Sequence, residues 1–375
     1  MKVGIVGATG AVGAEIVHVL WERKLEIESV RLFASKRSAG KVLENEFGKI
    51  EIEEFAVEKM QGIDVVFLAV SGGFAKANAK KIADLGCLVI DNSSAFRNDD
   101  DIPLVIPEIN GHMTRGATLI ANPNCTTAIA AMALWPLHKE YSLKKIVIST
   151  YQAASGAGAE GMEELDRQAI KYGKGETLEH AVFQHQLLFN VIPHIDSFQE
   201  NGYTREEMKV AWETRKIFGC PELDVSCTAV RTPTLRAHAE AITLETYRPV
   251  DVAKARQLID RATGVKLEDE PGALKYPMPL NASKQYDVEA GRIRESLVFG
   301  AYGLDLFVCG DQLLRGAALN AVLIAECALR PDADKTVEKD YSPSFATKLA
   351  NKQFNLATVL AIAGVASLAT YLVKK

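Results

Sequence analysis

Clustered cysteines are missing from this chain. Its six cysteines are scattered over 375 residues, and no two of them form a Cys-x-x-Cys pair. Zinc sites and the disulfide frameworks of small secreted domains depend on such clusters. We therefore expect no metal site, no disulfide framework and a reducing compartment, which favours a cytoplasmic location.

Basic clusters and a leader pattern are missing as well. The formal net charge is −5 and the pI is about 5.9, so nothing in the composition favours nucleic-acid binding. Met1 and Lys2 lead directly into an apolar run, without the regions that make up a signal peptide. The composition is that of a globular protein, 48% hydrophobic and 24% charged, with enough residues for two domains.

A glycine-rich turn follows the first predicted strand. The chain opens with KVGIVGATGAVGAEIVHVL, a β-rich run followed by three spaced glycines and a helical pattern. Such a turn is typical of dinucleotide binding, because glycines let the backbone approach a pyrophosphate at the helix N-terminus. A glycine turn without a ligand is the alternative. The residues predicted to contact the cofactor here are Gly7, Thr9, Gly10, Ala11, Val12 and Gly13.

The end of the second predicted strand suggests which dinucleotide binds. Sites that prefer NAD usually place an acidic residue there to hold the ribose hydroxyls. This chain has Ser35, Lys36, Arg37 and Ser38 instead. Hydroxyls and a guanidinium suit a 2′-phosphate, so we expect NADP as the cofactor, with contacts from Ser35, Arg37 and Ser38. A solvated basic loop is the alternative interpretation.

Two further buried strands are predicted in IDVVFLAVSGG and CLVIDNSSAF, with an amphipathic helix between them. The alternation of strands and helices predicts an α/β, Rossmann-like domain with a mostly parallel sheet and helices on both faces. Each strand ends in small polar residues, and cofactors lie at the carboxyl ends of such strands. The strand-end residues expected near the cofactor are Ser71, Gly72, Asn92 and Ser93.

One cysteine stands where a helix is predicted to begin. Cys125 follows a turn signal, Asn-Pro-Asn, and precedes an apolar helical pattern whose end is predicted at Pro136. A helix N-terminus favours the thiolate, so Cys125 is a candidate nucleophile with a lowered pKa. A distant histidine, His238, starts an alternating strand pattern and is a candidate partner. A small buried hydrophobic residue is the alternative for this cysteine.

Seven separated stretches carry a family resemblance. GIVGATGAVG, SKRSAGK, DNSSAFR, ANPNCTT, YQAASGAG, ETRKI and RTPTLRAH together resemble aspartate-β-semialdehyde dehydrogenase of the bacterial type, in order from Met1 to about Arg330. This family reduces aspartyl-4-phosphate to aspartate-4-semialdehyde with NADPH, in the diaminopimelate route to lysine and the routes to threonine and methionine. The resemblance implies a cysteine thioacyl intermediate, with Cys125 as nucleophile and His238 as acid–base catalyst.

The resemblance also implies the roles of other residues. Gln152 matches a residue that orients the substrate, and Asn124 one that stabilises the oxyanion; a buried amide and a helix cap are the respective alternatives. For the substrate's charged groups, the matches are Arg231 to the α-carboxylate, Arg97 and Lys209 to the phosphate, and Glu207 to the ammonium. A solvated helix face is the alternative for Glu207 and Lys209. Arg236, although closer to His238 in sequence, remains unassigned.

The domain plan follows from the same resemblance. We expect an NADP-binding domain over residues 1–124, completed by a helix over 311–330 from which Gln312 and Asn320 face the nicotinamide. Residues 125–310 are expected to form an α+β catalytic and dimerisation domain with a mixed sheet. Its β-rich runs lie at residues 145–152, 224–231, 237–247 and 297–308. Family members are dimers or tetramers, so we expect a homodimer or homotetramer that binds a small-molecule substrate and phosphate.

The resemblance does not cover the C-terminal tail. Residues 331–375 read as a polar linker followed by an apolar segment, and the twenty residues 354–373 contain no charge. That length is enough to span a bilayer as a helix, and lysines flank it on both sides. A membrane tether is therefore one hypothesis. A helix packed on the protein, an oligomer contact and an interfacial helix are the alternatives.

Three rival functions fit the sequence less well than the main one. N-acetyl-γ-glutamyl-phosphate reductase uses the same chemistry, but its cysteine typically lies in a Gly-Cys-Tyr-Pro context, whereas this chain has Asn-Cys-Thr-Thr. In glyceraldehyde-3-phosphate dehydrogenase the histidine follows the cysteine much sooner than His238 follows Cys125. A non-catalytic paralogue with a binding or structural role is disfavoured because the nucleophile, the histidine and the cationic residues are all present.

Overall fold

The computed structural model describes residues 1–330 of the chain. The predicted linker and apolar tail, residues 331–375, lie outside the described residues. Within 1–330, no helix is both long and apolar enough to cross a bilayer. The strands are β1 (Lys2–Val6), β2 (Ser29–Ala34), β3 (Val42–Asn45), β4 (Gly48–Glu54), β5 (Val65–Leu68), β6 (Leu88–Asp91), β7 (Leu119–Ala121), β8 (Leu143–Gln152), β9 (Asp224–Arg231), β10 (His238–Thr246), β11 (Val265–Leu267), β12 (Val288–Ser296) and β13 (Gly300–Gly310). The α-helices are α1 (Ala11–Glu22), α2 (Gly72–Ala83), α3 (Pro107–Asn110), α4 (Cys125–Tyr141), α5 (Gly158–Gly173), α6 (Arg205–Phe218), α7 (Val252–Asp260), α8 (Pro279–Ala282) and α9 (Leu319–Leu329).

The first sheet has seven strands in the order β3-β4-β2-β1-β5-β6-β7. All neighbours are parallel except β3 and β4, which form an antiparallel hairpin at one edge. The expected mostly parallel sheet is confirmed, and the edge hairpin is an addition that the sequence did not predict. Val6 pairs with Phe33 on one side and Leu68 on the other, so the loops after β1, β2 and β5 open at the same edge.

The second sheet is mixed, with six strands in the order β11-β12-β13-β10-β8-β9. Strand β8 pairs antiparallel with β10 and parallel with β9. The helices α4, α6 and α7 contact the sheet. Side chains that alternate with its buried positions are exposed, among them Val147 and Tyr151 on β8. Four of the six strands were predicted; β11 and β12 were not.

Helix α4 forms the packed centre between the two sheets. Nearly every residue from Thr126 to Leu137 is buried. The predicted end at Pro136 is wrong, because the helix continues to Tyr141. A proline removes one N–H donor from a helix, and here the surrounding core, with Pro136 and Leu137 both buried, keeps the chain helical beyond it.

The last described helix returns to the first sheet. Asp311 caps its start by accepting the N–H groups of Leu313 and Leu314 at 2.9 and 3.2 Å. A π-helical segment, Leu314–Ala318, precedes α9, and α9 packs in the same core cluster as β1 and β2. A π segment widens the helix by one residue per turn and is frequent at functional sites.

Candidate active site

A polar cavity of about 400 Å³ opens where the two sheets meet. The N-terminus of α4, the ends of β8 and β9, the first turns of α6 and the loop after β6 all contribute to its lining. The structure thus brings together residues that are more than a hundred positions apart in the chain. Among the lining residues are Ser93, Arg97, Asn124, Cys125, Gln152, Glu206, Lys209 and Arg231.

Cys125 is the first residue of α4, at the predicted position. Asn124 is the N-cap: its Oδ1 accepts the N–H groups of Thr126 at 3.0 Å and Thr127 at 3.4 Å. The π segment presses against the cysteine from the other side, since a Cβ on Gly316 would lie 2.6 Å from the Cβ of Cys125. Only glycine fits at this contact, which holds Cys125 against the cavity wall.

The expected lowering of the Cys125 pKa is wrong for the protein without ligands. Burial, and then the negative charge of Glu206, raise the pKa of the thiol to about 12, although Arg97 and Arg231 act in the opposite direction. The residue is half-buried, because it opens onto the cavity. A helix terminus contributes roughly 0.3–1 kcal/mol, while burial shifts a pKa by up to 3–5 units, so burial dominates.

His238 begins β10 and is fully buried directly behind the cavity lining. A Cβ on the lining residue Gly156 would lie 3.3 Å from its Nε2. Burial, and then the charge of Arg231, lower the pKa of His238 to about 3, so the ring is neutral at pH 7. The N–H of Ala153 donates to Nδ1 at 3.0 Å, which places the proton of the neutral ring on Nε2. Gln152 Nε2 lies 3.5 Å from that nitrogen.

Of the two neighbouring glutamates, Glu206 lines the cavity and Glu207 does not, so the placement expected for Glu207 is wrong. Glu207 closes a capping box with Thr204 and accepts the N–H of Ala229 at 2.9 Å, so both of its oxygens serve the fold. Two sequence signals pointed to this arrangement. Thr-x-x-Glu is the capping-box spacing, and Glu206, three residues before Lys209, shares a helix face with it.

Glu206 accepts hydrogen bonds from three other side chains that line the cavity. Its Oε1 accepts from Asn124 Nδ2 at 3.0 Å and Gln152 Nε2 at 3.2 Å, and its Oε2 accepts from Lys209 Nζ at 2.9 Å. Burial alone would raise the pKa of Glu206, but Lys209 and the amide donors hold it below its ordinary value. The ionised carboxylate of Glu206 therefore lies between a lysine and two amides.

Three cationic side chains face the cavity, as predicted. Arg97 is anchored by the backbone oxygens of Asn122 and Asn92, both at 2.9 Å, and by Glu213 Oε1 at 3.2 Å. Arg231 donates to the oxygen of Ala153 at 2.6 Å, and burial lowers its pKa. Lys209 also bonds Asp196, whose carboxylate lines the cavity and was not predicted. Arg236 lies elsewhere and pairs with Asp311 and Glu15.

The glycine turn has the geometry of a dinucleotide site. Gly7 has φ +88°, and a Cβ there would lie 2.1 Å from the Ala69 oxygen; one on Gly13 would lie 2.3 Å from the Gly7 oxygen. These two glycines are required by the fold. Gly10 is different, because a Cβ there would meet only the Gly7 oxygen at 3.4 Å. Gly10 is the N-cap of α1 and offers no side-chain cap, which leaves the first-turn N–H groups of Ala11, Val12 and Gly13 for an anion.

The other predicted cofactor residues divide into two groups. Ser35 and Arg37 are exposed next to the glycine turn, where the N–H of Gly7 bonds the Phe33 oxygen at 2.8 Å. Thr9 is also exposed, Ser38 is buried, and Ser71 and Gly72 start α2. The remaining residues are hydrogen-bonded within the protein, and all of them except the half-buried Asn92 are buried: Asn92 to Asn122, Ser93 to Asp91, Gln312 to Ser155 and the Ala237 N–H, and Asn320 to Asn122 and the Val105 oxygen.

Comparison with known proteins agrees with this architecture. The family description "Semialdehyde dehydrogenase, NAD binding domain" matches residues 2–117, and "Semialdehyde dehydrogenase, dimerisation domain" matches residues 134–315. The two matches follow each other as the two sheets do, so the chain has the domain composition of a semialdehyde dehydrogenase.

Relatives of known name show which kind of semialdehyde dehydrogenase this chain resembles. Aspartate-semialdehyde dehydrogenase of Synechocystis is 43% identical over 87% of this chain and 96% of its own length, and that of Bacillus subtilis is 41% identical over 87% and 96%. The crystal structure of aspartate semialdehyde dehydrogenase II from Vibrio cholerae, complexed with ASA, has a TM-score of 0.84 at 37% identity, covering 88% of this chain and 98% of that one. The chain belongs to the aspartate-semialdehyde dehydrogenase family.

Proposed function

We propose that this protein reduces L-aspartyl-4-phosphate to L-aspartate-4-semialdehyde and phosphate with NADPH, through a thioacyl intermediate on Cys125. The observation that carries the proposal is the cavity itself. A cysteine, two arginines, a lysine and two carboxylates, those of Glu206 and Asp196, share about 400 Å³, and a buried neutral histidine lies behind them. A substrate with a carboxylate, an ammonium and a phosphate offers these cations and carboxylates groups of opposite charge.

The substrate contacts follow from that match. Arg231 is proposed to bind the α-carboxylate, because a guanidinium offers two parallel donors to it. Glu206, rather than Glu207, is proposed to bind the ammonium, since it lines the cavity and contacts both Asn124, next to Cys125, and Gln152. Arg97 and Lys209 are proposed to bind the phosphate. Lys209 shares its charge with Glu206 and Asp196 in the free protein, so phosphate competes with these carboxylates for it.

The cofactor residues fit NADP. The uncapped start of α1 suits the pyrophosphate, and Gly10 leaves room for its approach. Ser35 and Arg37 are proposed to bind the 2′-phosphate, which is why NADPH is the proposed reductant rather than NADH. When bound, the dihydronicotinamide supplies a hydride.

The chain's own residues account for the remaining steps. The sulfur of Cys125 attacks the acyl carbon, so that a carbon–sulfur bond forms and the acyl–oxygen bond breaks, and the thiol proton leaves with the phosphate as hydrogen phosphate. The positive charges of Arg97 and Arg231 favour the thiolate, and the amide of Asn124 is proposed to stabilise the oxyanion. His238 is proposed to donate its Nε2 proton to the substrate oxygen as hydride reduces the thioester, and to take it back as the carbon–sulfur bond breaks. The products are the aldehyde and the Cys125 thiolate, which then takes up one proton from water.

A comparison of two acyl phosphates tests this function. The full chain is assayed with aspartyl-4-phosphate and with N-acetyl-γ-glutamyl phosphate, and NADPH oxidation is followed in each case. We expect turnover on the first and little on the second, because the second lacks the free ammonium that Glu206 would bind. Preference for the N-acetylated substrate would contradict the proposal.

The second sheet supports an oligomer, which we propose to be a homodimer or homotetramer. Its β8 exposes Val147 and Tyr151, apolar side chains that a partner subunit would cover. Sedimentation of the wild type and of the Val147→Glu variant measures the oligomeric state and the part that β8 has in it. Dissociation to monomers by the substitution is expected, and an unchanged oligomer would show that another surface pairs.

The location of the protein is proposed to be cytoplasmic, with tethering by residues 354–373 as the finer hypothesis. Its support is the uncharged twenty-residue segment in the sequence. Cell fractionation of the full chain and of a version ending at Ser344 tests both parts. Recovery of both proteins without detergent would contradict the tether.

A further inference from the structure

Four charged residues form one stripe on α6. Glu206, Lys209, Glu213 and Lys216 are spaced by three, four and three positions, so they share a face of the helix. The first two line the cavity. The other two lie one and two turns further along, where a charged side chain on a buried face needs a partner.

Glu213 has two partners in different parts of the site. Its Oε1 lies 3.2 Å from Arg97 Nη1, and its Oε2 accepts the backbone N–H of Asn124 at 2.6 Å. The residue is 1% exposed. One carboxylate therefore bridges the arginine proposed to bind phosphate and the residue immediately before the cysteine.

Lys216 contacts only one of these parts. Its Nζ donates to the backbone oxygens of Arg97 at 3.1 Å, Asp99 at 2.5 Å and Ile102 at 2.9 Å. An ammonium has three donors, and all of them are used to hold the loop that carries Arg97. Lys216 thus provides a natural comparison for Glu213, since it acts on the loop but not on the turn before Cys125.

We propose that Glu213 is a positioning residue that couples the phosphate subsite to the nucleophile, by holding the Arg97 guanidinium and the Asn124–Cys125 turn with one carboxylate. This inference rests on the proposed function, which makes Arg97 a phosphate ligand. Lys216 is a second positioning residue that acts on the Arg97 loop alone.

The carboxylate cannot be replaced by an amide without loss. Both oxygens of Glu213 face N–H donors, and glutamine would turn one of them into an NH₂ group. A buried donor would then face another donor, so either Arg97 or the Asn124 N–H loses its partner. Hydrogen bonds to charged groups are strong enough that we expect a weakening of phosphate binding by about tenfold to a hundredfold.

Three single variants separate the roles: Glu213→Gln, Lys216→Met and Glu160→Gln, the last replacing an exposed glutamate on α5 as a matched control. Two quantities are measured. Isothermal titration with inorganic phosphate reports on the Arg97 subsite without any turnover. The rate of iodoacetamide alkylation at Cys125, followed by mass spectrometry of its peptide, reports on the turn.

The expected pattern is specific. Glu213→Gln weakens phosphate binding and makes Cys125 several-fold more reactive, because the turn before it is released. Lys216→Met weakens phosphate binding and leaves the alkylation rate unchanged, and Glu160→Gln changes neither. Unchanged phosphate binding in Glu213→Gln, or weakened binding with unchanged Cys125 reactivity, would overturn the coupling.

Two controls keep the test decisive. If Glu213→Gln fails to fold, as judged by circular dichroism, Glu213→Asp takes its place; the shorter carboxylate reaches one partner at a time, so at least one of the two measurements must change. Turnover of the wild type on aspartyl-4-phosphate is measured separately. Its absence would contradict the proposed function, while the phosphate and alkylation results would still decide the role of Glu213.

Discussion

Two helices begin beyond the carboxyl ends of strands of the first sheet, and their first turns are built in opposite ways. Helix α1 starts at Gly10, which provides no side-chain cap. Helix α4 starts at Asn124, whose side chain accepts two N–H groups of the first turn. The first terminus is left open for an anionic ligand, and the second is closed by the protein itself.

The difference matters for the chemistry at each terminus. An open first turn presents both its N–H groups and its dipole to a bound phosphate. In the closed first turn, N–H groups are already bonded to the Asn124 side chain. The thiol of Cys125 comes directly after this cap, and burial raises its pKa to about 12. The α4 terminus therefore fixes the position of the sulfur, and activation of the thiol depends on the cations around it.

The largest effect is expected from removing the nucleophile at the closed terminus. Cys125→Ala should abolish turnover, with a loss beyond the roughly 10²–10⁴-fold of a general-base residue, because the thioacyl route is eliminated. NADPH binding, measured by fluorescence titration, should be retained since the cofactor is proposed to bind at the other terminus. A tenth of the wild-type rate in this variant would rule out the assignment.

The pH dependence of Cys125 alkylation tests the closed terminus without mutation. Below its pKa, a thiol gains about tenfold in thiolate for each pH unit, and the thiolate is the reactive form. With a raised pKa of about 12, alkylation of the free protein should keep rising with pH through and above the ordinary thiol value of 9.0. A plateau at neutral pH would mean that the dipole and the arginines outweigh burial.

Opening the closed terminus should cost more activity than stability. Asn124→Ala removes a cap, at a cost of about 1 kcal/mol in the free energy of unfolding, and also a proposed oxyanion donor, at a cost of about 10²–10³ in kcat. Asp251→Ala is the matched control, because Asp251 caps α7 by accepting two N–H groups in the same way. The unfolding temperature should fall by a similar amount in both variants, and only Asn124→Ala should lower kcat. Equal kcat values in the two variants would refute a catalytic role for Asn124.

Obstructing the open terminus should affect the cofactor alone. Gly10→Ala fits the protein, since the nearest atom to the new Cβ would be 3.4 Å away, and should raise the KM for NADPH about tenfold to a hundredfold through lost phosphate contacts. Gly13→Ala is the contrasting variant, because its Cβ would lie 2.3 Å from a backbone oxygen and distort the turn itself. We expect Gly13→Ala to lower the unfolding temperature and Gly10→Ala to leave it unchanged. An unchanged KM for NADPH in Gly10→Ala would count against cofactor binding at the start of α1.

The two termini also show how far sequence reasoning reaches. Strand, turn and helix signals are local, so β1, the glycine turn and the start of α4 were predicted correctly. The distinction between Glu206 and Glu207 is local too, because the Thr-x-x-Glu spacing of a capping box assigns Glu207 to the helix cap. The contacts of Glu213 with Arg97 and Asn124 join residues 116 and 89 positions apart, and no local pattern predicts such pairs. Burial of Cys125 likewise depends on Gly316, far along the chain.

The smallest effect is expected at the edge of the open terminus, where Arg37 is exposed beside the glycine turn. An exposed guanidinium contributes less binding energy than a buried one because water screens its charge. We therefore expect a loss of binding energy at the low end of the range for a hydrogen bond to a charged group. Arg37→Ala should therefore lower kcat/KM for NADPH about tenfold while leaving NADH almost unchanged, because only NADPH carries the 2′-phosphate. Lys49→Ala, an exposed lysine at the start of β4, away from the carboxyl ends of the strands, is the matched control and should alter neither value. Equal losses with both cofactors would show that Arg37 supports the loop rather than the 2′-phosphate, and no loss with either would leave Ser35 and Ser38 as the residues to test next.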